Sequence, residues 1–116
     1  MPYIAVNTTQ KLSVAQKEKI KAEFGRLITI IPTKSEAGLL VDFSDARTIY
    51  KAGENVEGAF IDLRLFRKSE FEPKKQFTEA VFELLSQELG LKKENMLLSI
   101  MENECWGYAG TFHKSE

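Results

Sequence analysis

The sequence predicts an α+β fold of two consecutive β-α-β units, and three observations carry that prediction. Short apolar or alternating segments at residues 2–7, 39–43, 59–66 and 95–102 read as strands. A longer segment between the first two strands, and another between the last two, repeat their apolar residues near the 3.6 period of a helix. No linker rich in Pro, Gly or Ser separates the halves, so residues 1–116 are expected to form a single domain. Right-handed crossovers would then put both helices on one face of a four-stranded sheet.

The first strand is the apolar run that starts at Pro2 and reaches Asn7. The Ser13-Val14-Ala15-Gln16 stretch after it matches a capping box, in which the serine hydroxyl and the glutamine side chain satisfy early helical N–H groups reciprocally. Val14, Phe24, Leu27, Ile28 and Ile31 mark the helix's apolar face, and Pro32 ends it because the residue before proline is pushed out of the α region. Residues 44–55 read as irregular, with a short strand at 48–50 and a turn marked by Gly53 and Asn55. The third long strand has two faces. Ala59, Ile61, Leu63 and Leu65 belong in the core. Phe60, Asp62, Arg64 and Phe66 are too polar for a core and too aromatic for plain solvent. The second helix starts near Ser69 to Pro73, buries Phe77, Val81, Leu84, Leu85 and Leu89, and is capped by Gly90. The fourth strand is followed by a tail rich in glycine and aromatics, Cys105 to Phe112, which is expected to be packed. With both helices on one face, the other face needs a cover, and self-association is the simplest one.

Composition removes the commonest chemistries. Lys+Arg 16 against Asp+Glu 17 is too balanced for a protein built to coat a polyphosphate, so no nucleic-acid partner is expected. One cysteine, Cys105, allows neither an intrachain disulfide nor a multi-thiolate metal site. One histidine, His113, argues against most zinc sites and most Ser-His or Cys-His catalysis. No metal or cofactor is expected. The N-terminal stretch lacks the basic and long apolar regions of a secretory signal, and no apolar run is long enough for a membrane span. A cytoplasmic location is expected, with leaderless export left open.

One residue offers a base that needs neither histidine nor thiolate. Pro2 follows the initiator methionine, and removal of Met1 would expose a secondary amine. An α-amino group titrates near ~8 in water. Burial disfavours its charged form, which would leave a neutral amine able to act as general base or nucleophile at neutral pH. The alternative is that Met-Pro is merely how the chain happens to start.

In this context the sequence resembles the macrophage migration inhibitory factor family of the tautomerase superfamily. The resemblance rests on Met1-Pro2 leading into a strand that ends in Val6-Asn7-Thr8, on the Ser13-Val14 helix start, and on Lys34 after the first helix. It rests also on the segment from Ala59 to Lys68, on Trp106-Gly107-Tyr108 and on Thr111-Phe112. It implies a homotrimer of β-α-β-β-α-β subunits and keto–enol tautomerisation of a small α-keto acid such as phenylpyruvate. Pro2 would move the proton between the α-carbon and the enol. Lys34 would hold the carboxylate or enolate oxygen, and the backbone N–H of Phe66 would help. Tyr108 and Phe112 would form an aromatic wall. A neighbouring subunit would present Leu97 and Ser99, where the family carries a tyrosine and a polar amide. Tyr108 stands where the family has a tryptophan, and the usual Trp-Asn-Gly stretch reads Tyr-Ala-Gly with one residue fewer before Thr111. The Gly58-Ala59-Phe60-Ile61 stretch stands where some members carry Cys-x-x-Cys, so thiol–disulfide activity is not expected.

Two arginines fall on or next to the third strand. Arg64 either assists a carboxylate through a bidentate contact or pairs with Asp62 or a neighbouring subunit; Arg67 belongs to the same stretch. His113 is read as a frayed solvent residue and Cys105 as structural. Two further readings stay open: a non-catalytic trimeric binding or cytokine-like signalling protein on the same scaffold, and a ferredoxin-like regulatory domain binding a metabolite between subunits.

Overall fold

The alternation along the strands decides the architecture. In the computed structural model, which describes residues 2–115, β1 (Pro2–Thr8) runs down the middle of a four-stranded sheet. It pairs in parallel with β2 (Leu40–Ser44) and antiparallel with β5 (Ala59–Phe66), which in turn pairs in parallel with β6 (Met96–Asn103). The order is therefore β2-β1-β5-β6. Each parallel pair is joined by a helix, α1 (Val14–Leu27) in the first half and α2 (Phe71–Leu89) in the second. Two β-α-β units thus meet along the antiparallel β1–β5 seam, as the sequence predicts.

The covered face of the sheet is dry. Ile4, Val6, Ile61, Leu63 and Leu65 are fully buried against Ile20, Phe24, Ile28, Phe77, Val81 and Leu85 from the helical layer. Ser13 caps α1 as expected: its Oγ accepts from the Gln16 N–H at 3.1 Å, and Gln16 Oε1 accepts from the Ser13 N–H at 2.9 Å. The α-helix stops four residues short of Ile31 and tightens into a 3-10 turn at Ile28–Ile30. Val14, expected on the apolar face, is exposed at the first position of α1, and Ile20, which the periodicity left out, is fully buried in the core. Gly90 closes α2 at φ 68°, a left-handed position that glycine adopts without steric cost. Gly58 leads into β5 with its Cα against the Asn95 carbonyl oxygen; any Cβ there would collide with backbone.

The stretch expected to be irregular contains a small hairpin, β3 (Ile49–Lys51) with β4 (Glu54–Val56), turning at Ala52-Gly53. The tail forms a second hairpin, β7 (Cys105–Tyr108) with β8 (Thr111–Lys114). His113 is therefore not frayed. It lies half-buried opposite Trp106, with its Nε2 3.0 Å from the Tyr108 carbonyl oxygen and its ring tilted on the Tyr108 ring. The paired backbone of β8, invisible to composition, holds it in place.

The bare face carries Tyr3, Ala5 and Asn7 of β1 beside Phe60, Asp62 and Arg64 of β5 and Leu97, Ser99 and Met101 of β6. Leu97 is 70% exposed and Met101 50%. Among the described residues no helix is long and apolar enough to cross a membrane.

Candidate active site

Pro2 begins β1 with its side chain on the covered, apolar side, opposite Leu65 of β5. Strand pairing on both sides of β1 fixes its place. A cleft of about 450 Å³ opens beside it, walled by Pro2, Tyr3, Leu40, Arg64, Trp106, Gly107 and Tyr108. The tail hairpin therefore forms one wall of the cleft and the sheet end forms the other. Met1, whose removal would free the Pro2 nitrogen, lies outside the described residues.

Lys34 follows a four-residue turn in which its N–H donates to the Ile31 carbonyl at 3.2 Å. Pro32 occupies the second position of that turn and Thr33, at φ 71°, the third, where glycine or asparagine is favoured. The turn sends the Lys34 side chain inward, where the residue is only 8% exposed. Its ammonium donates to the carbonyl of Phe66 at 2.7 Å, one residue beyond the Leu65 that faces Pro2. Burial lowers the Lys34 pKa, the nearby Arg67 charge lowers it further, and Glu102 acts in the opposite sense. Glu102 is itself engaged by Lys74 Nζ at 2.9 Å and by the Ser69 N–H. Burial works to raise the Glu102 pKa, but these donors outweigh it and the net shift is downward.

Phe66 lies at the end of β5 on the bare face. Its ring stacks on Trp106 with centroids 5.6 Å apart and planes 16° from parallel, and the Arg67 guanidinium lies 5.4 Å from its centroid. Arg64 projects into the cleft while paired with Asp62 at 3.2 Å. Tyr3 donates to Asp42 Oδ2 at 2.8 Å, and that hydrogen bond to the carboxylate raises its pKa.

Pro2, Lys34, Phe66 and Tyr108 thus come together at one end of the sheet. Leu97 and Ser99 do not join them within one chain. Leu97 is level with Phe60 and Ser99 with Asp62, whereas Pro2 is level with Leu65 and Glu102. Five and three strand residues separate them from that level, about 17 Å and about 10 Å. Phe112 is 72% exposed and lies outside the cleft wall. The sequence reading missed Tyr3, Leu40 and Trp106 as wall residues. The stacking of Trp106 on Phe66 joins segments forty residues apart, and no local signal announces it.

No family model matches the sequence, and no curated protein matches it. Solved structures do. Leishmania major MIF2 superposes with a TM-score of 0.90 at 18% identity, over 97% of this chain and 97% of that one. A fused 4-OT asymmetric trimer gives 0.81 at 14%, over 94% of each chain. A member of the cis-3-chloroacrylic acid dehalogenase family gives 0.80 at 16%, over 97% of this chain and 84% of the other. At these identities the likeness is one of fold. The chain has the fold of the macrophage migration inhibitory factor-like proteins and of the wider tautomerase superfamily.

Proposed function

We propose that the chain is a keto–enol tautomerase of small α-keto acids, phenylpyruvate-like in size, with the free Pro2 amine as general base. The observation that carries this reading is the placement of Pro2: on a paired strand, on the apolar side of the sheet, beside a cleft with aromatic walls and cationic neighbours. In the neutral form the amine would take a proton from the carbon next to the ketone. The enolate charge that develops would be stabilised by the Lys34 ammonium, whose two remaining donors are free of the Phe66 carbonyl. The protonated amine would then return the proton, to oxygen or to carbon according to direction. Trp106 and Tyr108 would exclude water and accept an aromatic or aliphatic side chain.

The working unit in this reading is a homotrimer. Support comes from the uncovered apolar side chains of the bare face and from the 4-OT relative, whose structure is a trimer. A neighbouring subunit would bring Leu97 and Ser99 to the Pro2 cleft, and Phe112 would be covered at the same interface. The lone Cys105 suits a reducing compartment such as the cytoplasm.

Phenylpyruvate ketonisation by three preparations tests the proposal: the mature protein, a form retaining Met1, and Pro2→Gly. The mature protein should be active. The Met1-retaining form should be inactive, because its Pro2 nitrogen is an amide. Pro2→Gly should be slower but active. Equal rates with and without Met1 would remove Pro2 from the chemistry and favour a non-catalytic trimeric binding or signalling protein.

A further inference from the structure

The two aromatic walls of the Pro2 cleft are anchored in different ways. Trp106 stacks on Phe66 of β5, so the sheet itself holds it. Tyr108 lies beyond that stack, at the turn end of β7, and is 49% exposed. The turn beside it is a poor support. Five non-glycine residues among those described have positive φ: Thr33, Ala46, Ala52, Arg67 and Ala109. Ala109 at φ 53° and Gly110 at φ 85° are the two central residues of the tail hairpin. A two-residue turn with both centres at positive φ favours Asn-Gly, and the alanine Cβ crowds the first of the two places. Local preference alone therefore does not fix where the turn puts Tyr108.

His113 supplies the hold. The hairpin register sets Trp106 opposite His113 and Tyr108 opposite Thr111. Side chains of directly opposed residues share a face, so Trp106, Tyr108 and His113 lie on the same side of the hairpin, with His113 diagonal to Tyr108. One imidazole makes two contacts with that one residue. Its Nε2 lies 3.0 Å from the Tyr108 carbonyl oxygen, and its ring is tilted 44° to the Tyr108 ring with centroids 5.8 Å apart. A carbonyl oxygen only accepts, so Nε2 carries the proton and donates. The hydrogen bond fixes the main chain of Tyr108, and the ring contact fixes its side chain. Tyr108 walls the cleft; His113 does not.

We propose that His113 is a positioning residue that sets the preference of the cleft for aromatic side chains, by holding the Tyr108 ring in the wall before a ligand arrives. This rests on the reading of the cleft as an α-keto acid site. A ring that is already ordered costs the ligand no further loss of rotamer freedom on binding. The effect reaches only the far end of the substrate. Proton transfer belongs to Pro2 and charge stabilisation to Lys34, and His113 touches neither.

NMR titration of the mature protein with phenylacetate tests this, with acetate as the control that lacks the ring. The parent should bind phenylacetate more tightly than acetate. His113→Ala should weaken phenylacetate about fivefold and leave acetate within about twofold. His113→Gln, whose amide restores a donor at about the reach of Nε2, should fall between His113→Ala and the parent. In a Tyr108→Ala background His113→Ala should cause no further loss, because His113 acts through that ring. In phenylpyruvate ketonisation His113→Ala should raise KM about fivefold with kcat within about twofold. The proposal is overturned by a parent with no preference for phenylacetate, or by an equal loss of both acids in His113→Ala. It is overturned also by a His113→Gln no better than His113→Ala, or by further loss in the Tyr108→Ala background. Aryl preference that depends on His113, in a protein that does not turn over phenylpyruvate, upholds the proposal and removes the tautomerase reading alone. Turnover with an aryl preference unchanged by His113→Ala does the reverse.

Discussion

The two faces of the sheet are built from the same strands yet differ in completeness. On the covered face, alternate residues of β1 and β5 meet two helices and lose all contact with water. On the other face, Phe66 stacks on Trp106 at one end, but Phe60, Leu97 and Met101 stay exposed. One face specifies the fold of the single chain, and in the proposed trimer the other is left for a partner. The candidate active site lies where the two regimes meet. Pro2 and Lys34 are buried, while Arg64 and Tyr108 are open to solvent. A proton-transferring amine needs burial to lose its charge, whereas a substrate needs a way in.

The contrast breaks most sharply under mutation of the covered face. Leu63→Ala removes a fully buried side chain from the middle of β5 and should cost about 2–5 kcal/mol of stability, read by urea denaturation. The paired change Leu97→Asp with Met101→Asp strikes the bare face. It should leave the circular dichroism of the chain intact while sedimentation equilibrium shifts from three chains to one. Covering Leu97 is worth about 1.5–3 kcal/mol, which a buried aspartate would reverse. Simultaneous loss of fold and assembly would mean that the two faces are not separable.

A smaller effect tests the edge of the covered layer. Ser13→Ala deletes the half of the α1 cap that Ser13 Oγ accepts from the Gln16 N–H and should cost about 1 kcal/mol, measurable by thermal unfolding. The smallest concerns the boundary between faces. Lys34 has a lowered pKa in the fold, so the unfolded chain binds more protons between that value and the ordinary lysine value of about 10.4. Stability should therefore rise with pH across that window, and below it the burial of a charged Lys34 opposes folding. Lys34→Met should flatten the rise. An unchanged alkaline profile would show that the Lys34 ammonium is not held in a desolvated place.

Local pattern explains what the sequence revealed. The period-2 alternation of residues 59–66 and the capping box at Ser13 are short-range signals, and both elements appear as read. Pro2 stood out as a candidate base because loss of Met1 would expose a secondary amine, and it begins a paired strand beside the cleft. Ile20 was missed because lysine and glutamate neighbours diluted the apolar period around it. Of the hairpin at 49–56 only the first strand and the turn were read, and the tail hairpin was missed, because strands of three or four residues give no periodicity to detect. The cleft wall depends on contacts between distant segments: Trp106 reaches it through Phe66, and Leu40 through pairing of β2 with β1. The strain at Thr33 and Arg67 is a backbone property that residue types alone conceal.

The central claim is that the fold gives Pro2 a neutral amine at physiological pH. Nitrogen-15 NMR of the mature protein, labelled at proline and titrated with acid and base, observes that amine directly. The account predicts a single titration at Pro2 with a pKa clearly below the value near ~8 of an exposed α-amine. A pKa at or above that value would leave the amine protonated at neutral pH and contradict its assignment as the base.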